Sequence, residues 1–114
     1  MRDTRPINWI KGARRGFEDF PEGAQLEMAR ALTILAEGRM PDIAKPLTGF
    51  GSGVMELALR YRGDAFRLVY ALQIGDDIWV VHAFQKKSKT GIKTPKREMD
   101  LINERLKRLR KILE

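Results

Sequence analysis

Five side chains between residues 56 and 87, Glu56, Arg67, His82, Lys86 and Lys87, are of types that can cleave a phosphodiester. Metal-free cleavage of RNA needs a base for the 2′-hydroxyl proton, positive charge on the crowded phosphate, and an acid for the leaving 5′-oxygen. Arg67 offers a bidentate fork to phosphate oxygens, and Lys86 and Lys87 offer point charges. A lysine packed among other cations has its pKa lowered toward neutrality and becomes a usable base or acid. His82 is the only imidazole, and Glu56 is a carboxylate among arginines, so both are candidates for proton transfer. Each has a plainer reading. Arg67 and Glu56 can form a cross-strand ion pair, Lys86 and Lys87 can be a solvated strand end, and His82 shares an alternation phase with Ile78, Val80 and Phe84. A histidine in such a row is commonly a hydrogen-bonded core residue. The same side chains also fit a site that binds nucleic acid without cutting it.

The lysine pair opens a basic segment, F-Q-K-K-S-K-T-G-I-K-T-P-K-R-E, from Phe84 to Glu98. Between Lys86 and Arg97 it carries six basic residues and no acidic one. Lys89, Lys93, Lys96 and Arg97 are expected to grip RNA backbone in a salt-dependent way. Lys45, Arg60 and Arg62 extend the same nucleic-acid surface. Trp9 and Trp79 are types that stack bases, but core packing accounts for both.

The chain of 114 residues suffices for a single domain over residues 1–114, and its 22 basic and 15 acidic side chains leave a formal charge of +7. That balance favours an anionic partner. With no cysteine and one histidine, disulfides, thiolate chemistry and a His/Cys metal site are excluded, and no cofactor is implied. No apolar run has the length of a membrane span, and M-R-D-T-R-P lacks the apolar region of a secretion signal. A cytoplasmic location without membrane attachment is expected.

These residues must be positioned by an α+β arrangement. Ile7 to Ile10 suits an opening strand. Ile10, Ala13, Phe17 and Phe20, then Ala24, Met28, Ala31, Leu32 and Leu35, recur at helical spacing on either side of Pro21. Together they predict a helical hairpin from about Lys11 to Glu37, ended at Gly38 and Pro41. Met40 to Gly53 reads as a loop. Val54 to Tyr61 alternates with period two, and Phe66 to Ile74 and Ile78 to Phe84 follow through short turns, which predicts an antiparallel meander. Thr94 and Pro95 mark the start of a last helix, with Met99, Ile102, Leu106, Leu109 and Leu113 along one stripe. The expected fold is a helical hairpin and a terminal helix packed on one face of an antiparallel sheet.

Five segments then carry a family resemblance: K-P-L-T-G at Lys45, M-E-L-A-L-R-Y-R-G at Met55, F-R-L-V-Y at Phe66, V-H-A-F-Q-K-K at Val81 and T-P-K-R-E at Thr94. Together they resemble the RelE/ParE superfamily of type II toxins, on the HigB-like, phage-associated branch. The resemblance implies a microbial-ribonuclease-like fold and an mRNA endonuclease that acts on translating ribosomes. It also implies a cognate antitoxin of helix-turn-helix type, through which alone the toxin meets operator DNA. By this resemblance Arg67 matches the arginine that stabilises the cleaved phosphate, and Lys86 and Lys87 match the basic pair after the last strand. Glu56 and Ala58 stand about where some members carry two lysines. The alternatives are a ParE-like inhibitor of DNA gyrase and a non-catalytic nucleic-acid-binding regulator of the same fold.

Overall fold

In the computed structural model, which describes residues 4–86 and 94–113, a mixed sheet carries helices on both faces. The elements are β1 (Ile7–Trp9), α1 (Lys11–Glu18), α2 (Glu22–Ala36), β2 (Ala44–Pro46), β3 (Val54–Tyr61), β4 (Asp64–Ala71), β5 (Ile78–Lys86) and α3 (Lys96–Leu113). The strand order is β1-β5-β4-β3-β2. The meander β3–β4–β5 and the β2–β3 pair are antiparallel, while β1 lies parallel to β5. The α+β class therefore holds, as do the helical hairpin, the meander and the terminal helix.

Two packing layers follow from the period-two strands. Leu57, Leu59, Phe66, Leu68, Tyr70, Ile78, Val80 and Ala83 form one sheet face, buried under the stripes of α1 and α2. Val54, Val69, Ala71 and Val81 form part of the other face, buried under Ile102, Leu106 and Leu109 of α3. The expectation that all helices share one face is thus corrected. The even residues of β3 are the wet face in the sequence reading, but Val54 and Glu56 pair with the apolar Ala71 and Val69, and α3 covers that end. Among the described residues no helix covers the far end of this face, and Arg60 is exposed there.

Two further corrections bear on the site. Residues 44–46, expected in a loop, form an edge strand that places Lys45 opposite Glu56. Its three residues end in Pro46, which leaves little periodicity to read and suits a sheet edge. The second correction is a β-bulge. Tyr70 pairs with Val80 but Val69 pairs with His82, so Val81 is an extra residue in β5. A bulge shifts the alternation by one. His82 and Phe84 therefore lie on the α3 face, opposite in phase to Ile78 and Val80.

Beyond Trp9, β5 has no strand neighbour on its outer side among the described residues, and α1 covers that edge. A Cβ on Gly16 would overlap the carbonyl oxygen of Ala83, and one on Gly12 would overlap the guanidinium of Arg105. Gly16→Ala must push the helix off a backbone atom, so a loss of about 2 kcal/mol is expected, read as a lower urea midpoint. Gly12→Ala meets only a swinging side-chain end, so a smaller loss is expected.

Candidate active site

The open end of the α3 face gathers the charged side chains. Arg67 and Glu56 stand diagonally on adjacent strands, Arg67 being paired with Ala58, two residues from Glu56. Arg67 Nη1 donates to Glu56 Oε1 at 2.7 Å, and Lys45 Nζ lies 3.4 Å from the same oxygen. Glu56 is 3% exposed and the Arg67 side chain 12%. A carboxylate this covered needs partners, because an unpaired buried charge is costly. The pair leaves other guanidinium N–H groups of Arg67 for an anion.

Lys86 ends β5 and pairs with Ala65, two residues from Arg67 and on the same face. It is 8% exposed. Burial lowers its pKa most, the neighbouring Arg67 lowers it further, Glu56 opposes, and Lys45 lowers it again. Four side chains from four strands therefore share one electrostatic environment: Lys45, Glu56, Arg67 and Lys86. Three of them, Lys45, Glu56 and Arg67, border a groove of about 610 Å³ between the β2–β3 connection and the start of α3, walled also by Leu47, Phe50 and Met99.

The remaining predicted residues are placed differently. Arg60 is exposed on the same face. Arg62 (φ 51°) and Gly63 (φ 86°) form the two-residue β3–β4 turn, whose positive φ angles match the strand twist, and the Arg62 guanidinium lies 5.4 Å from the Tyr61 ring centroid. Lys96 is exposed and pairs with Asp100 at 3.2 Å. Arg97 borders a second groove, with Asp19, Gln85 and Glu98, on the α1 side of α3. Lys87, Lys89 and Lys93 lie outside the described residues.

His82 is buried beneath α3 at 5% exposure. Arg105 Nη1 donates to its Nδ1 at 2.7 Å and to Val81 O at 3.1 Å. A guanidinium has no acceptor, so Nδ1 accepts and the ring proton sits on Nε2, which donates to Glu98 Oε1 at 2.7 Å. Burial lowers the His82 pKa, the Glu98 hydrogen bond opposes, and Arg105 lowers it again. Sequence reasoning missed both Glu98 and Arg105 as partners. Their spacing of seven residues, two helical turns, puts both on one side of α3, and that was the available signal.

A family model described as "Phage derived protein Gp49-like (DUF891)" matches residues 15–107. No curated protein matches the sequence. Among solved structures, a chain of the intact E. coli RelBE toxin–antitoxin complex is 16% identical with a TM-score of 0.58, over 74% of this chain and 99% of that one. The isolated E. coli RelE toxin is 15% identical with a TM-score of 0.57, over 75% of this chain and 88% of that one. At this identity the likeness establishes the RelE fold.

Proposed function

This chain belongs to the family of phage-derived Gp49-like proteins, and from that premise and the RelE fold we propose that it is the toxin of a type II toxin–antitoxin pair. It cleaves mRNA on the translating ribosome. The observation that carries the reading is the convergence of Lys45, Glu56 and Arg67 at one groove, with Lys86 on the same sheet face and in their electrostatic field.

Lys86, with its lowered pKa, takes the proton of the 2′-hydroxyl in its neutral form. The 2′-oxygen bonds to phosphorus, and the bond to the 5′-oxygen breaks. The products are a 2′,3′-cyclic phosphate and a 5′-hydroxyl end. Arg67 holds the non-bridging oxygens as negative charge develops, with Lys87 as its second cation. Glu56 neutralises and aims Arg67. His82, whose two ring nitrogens are both engaged, positions the start of α3 rather than moving protons. The leaving oxygen takes its proton from water or from a ribosomal group. Arg60, Arg62, Lys89, Lys93, Lys96 and Arg97 hold ribosomal RNA, which places the toxin in the cytoplasm. The antitoxin, a helix-turn-helix repressor, neutralises the basic groove and carries the pair to its operator.

Expression without the antitoxin tests the reading. Growth should stop, and mRNAs from arrested cells should carry new 5′-hydroxyl ends within codons. On purified ribosome complexes the upstream fragments should end in 2′,3′-cyclic phosphate. Arrest with intact mRNA and accumulating DNA breaks would instead identify a gyrase inhibitor.

A further inference from the structure

The β2–β3 connection, L-T-G-F-G-S-G at residues 47–53, meets the groove of Arg67 through Leu47, Thr48 and Phe50 and has no part in the chemistry above. Its base is closed by Leu47 N–H donating to Val54 O at 3.0 Å and by Leu72 N–H donating to Gly53 O at 2.9 Å. Between them Gly49, Gly51 and Gly53 have φ of 96°, 93° and 77°. Arg62 is the only non-glycine with positive φ among the described residues, so Phe50 and Ser52 alternate in sign with the glycines. Alternation of this kind turns successive N–H groups toward one side and makes a concavity for anions. Phe50 anchors the loop from beneath. Its ring is buried against α3, and its carbonyl accepts from Arg110 Nη2 at 3.0 Å. Among the described residues, the backbone N–H groups of Thr48, Gly49, Gly51 and Ser52 donate no hydrogen bond. All four residues are exposed. A Cβ at Gly49 would have no atom within 4 Å, so the loop has open space above it.

We propose that this loop is a second phosphate subsite, which binds through backbone amides the RNA phosphate next to the one held by Arg67. The subsite deepens the ribonuclease reading and rests on it for the identity of the ligand. An amide cradle and a guanidinium sharing one groove fit two phosphates of one strand, and the cradle selects backbone rather than base. Sequence-independent grip beside the cut is its consequence.

The test is a titration of the ¹⁵N-labelled chain with inorganic phosphate at constant ionic strength, against chloride. The amides of Thr48, Gly49 and Gly51 should shift downfield and saturate, and should do so equally in Arg67→Ala. In Gly49→Ala, which strains only the local backbone, phosphate should bind at the loop about tenfold more weakly, as for the loss of one charge-assisted hydrogen bond. Unmoved loop amides in the folded wild type would overturn the subsite. So would shifts that vanish with Arg67, which would mean that the loop only senses an anion bound elsewhere. Failure to find cleaved mRNA would leave this titration unaffected, so the two readings fail separately.

Discussion

Arg67→Ala is expected to abolish growth arrest and to slow ribosome-dependent cleavage roughly 100- to 1,000-fold, the scale of losing one preorganised donor to a developing oxyanion. Arg67 is held mid-strand and aimed by Glu56, so its geometry is set before substrate arrives. The substitution also deprives a 3%-exposed carboxylate of its 2.7 Å guanidinium partner, which costs stability. The double substitution Arg67→Ala with Glu56→Gln removes that buried charge. It should recover the melting temperature while cleavage stays lost. Arg67→Lys keeps the charge but loses the fork and should recover only a small part of the rate. Glu56→Gln alone keeps an acceptor for Arg67 and should cost little. A loss comparable to that of Arg67→Ala would move the general base from Lys86 to Glu56. Lys86 supplies the independent arm. With a pKa below the ordinary lysine value, its neutral fraction, and with it the cleavage rate, should rise with pH through that lowered pKa. Lys86→Met should be slow and should lack that limb. An unchanged limb in Lys86→Met would remove Lys86 from proton transfer.

Much of this site was legible because alternation in β3 and β4 is regular. Glu56 and Arg67 fall on one face by counting in twos, and the Tyr61 to Asp64 turn fixes their register. Lys45 belongs to the expected nucleic-acid surface, but its place in a strand is not legible, because a three-residue edge strand carries no usable period. The phase of His82 was misread for a different reason. Counting in twos from Ile78 fails once Val81 is inserted, and Val80 and Val81 are the same residue type, so nothing in the sequence marks the slip. The second helical layer was hidden likewise. A sheet face whose apolar residues, Val54, Val69, Ala71 and Val81, cluster at one end and whose charges cluster at the other averages to an amphipathic pattern. The stripe on α3 announced that it needed a partner. The partner's side of the sheet was a tertiary fact.

The bulge has its own expected result: His82→Ala should destabilise the fold by about 3 kcal/mol, because it leaves Arg105 and Glu98 without the group between them. His82 pins α3 to β5, and its buried ring accepts from one helix residue and donates to another. The facing groups are Glu98 and Arg105 from α3, while Arg105 also passes over Gly12 of α1. Within β5 the Phe84 ring stacks on the imidazole at 5.2 Å. Protonation puts a hydrogen on Nδ1, opposite the Arg105 guanidinium, and breaks that bond while keeping the one to Glu98. Because the folded pKa lies below the ordinary imidazole value of about 6.5, the unfolded chain binds the proton first on acidification. The stability contributed by neutral His82 is therefore fully present above about 6.5 and is lost as pH falls from there toward the folded pKa. Urea melts between pH 8 and pH 5 should show this slope in the wild type and not in His82→Gln, which retains only the donor to Glu98. If His82→Gln instead kept the wild-type slope, the pin would not be the titrating group. Cleavage separates position from chemistry: His82→Gln should retain the rise in rate assigned to Lys86 and lose rate in step with stability. A lost limb at unchanged stability would return proton transfer to the imidazole.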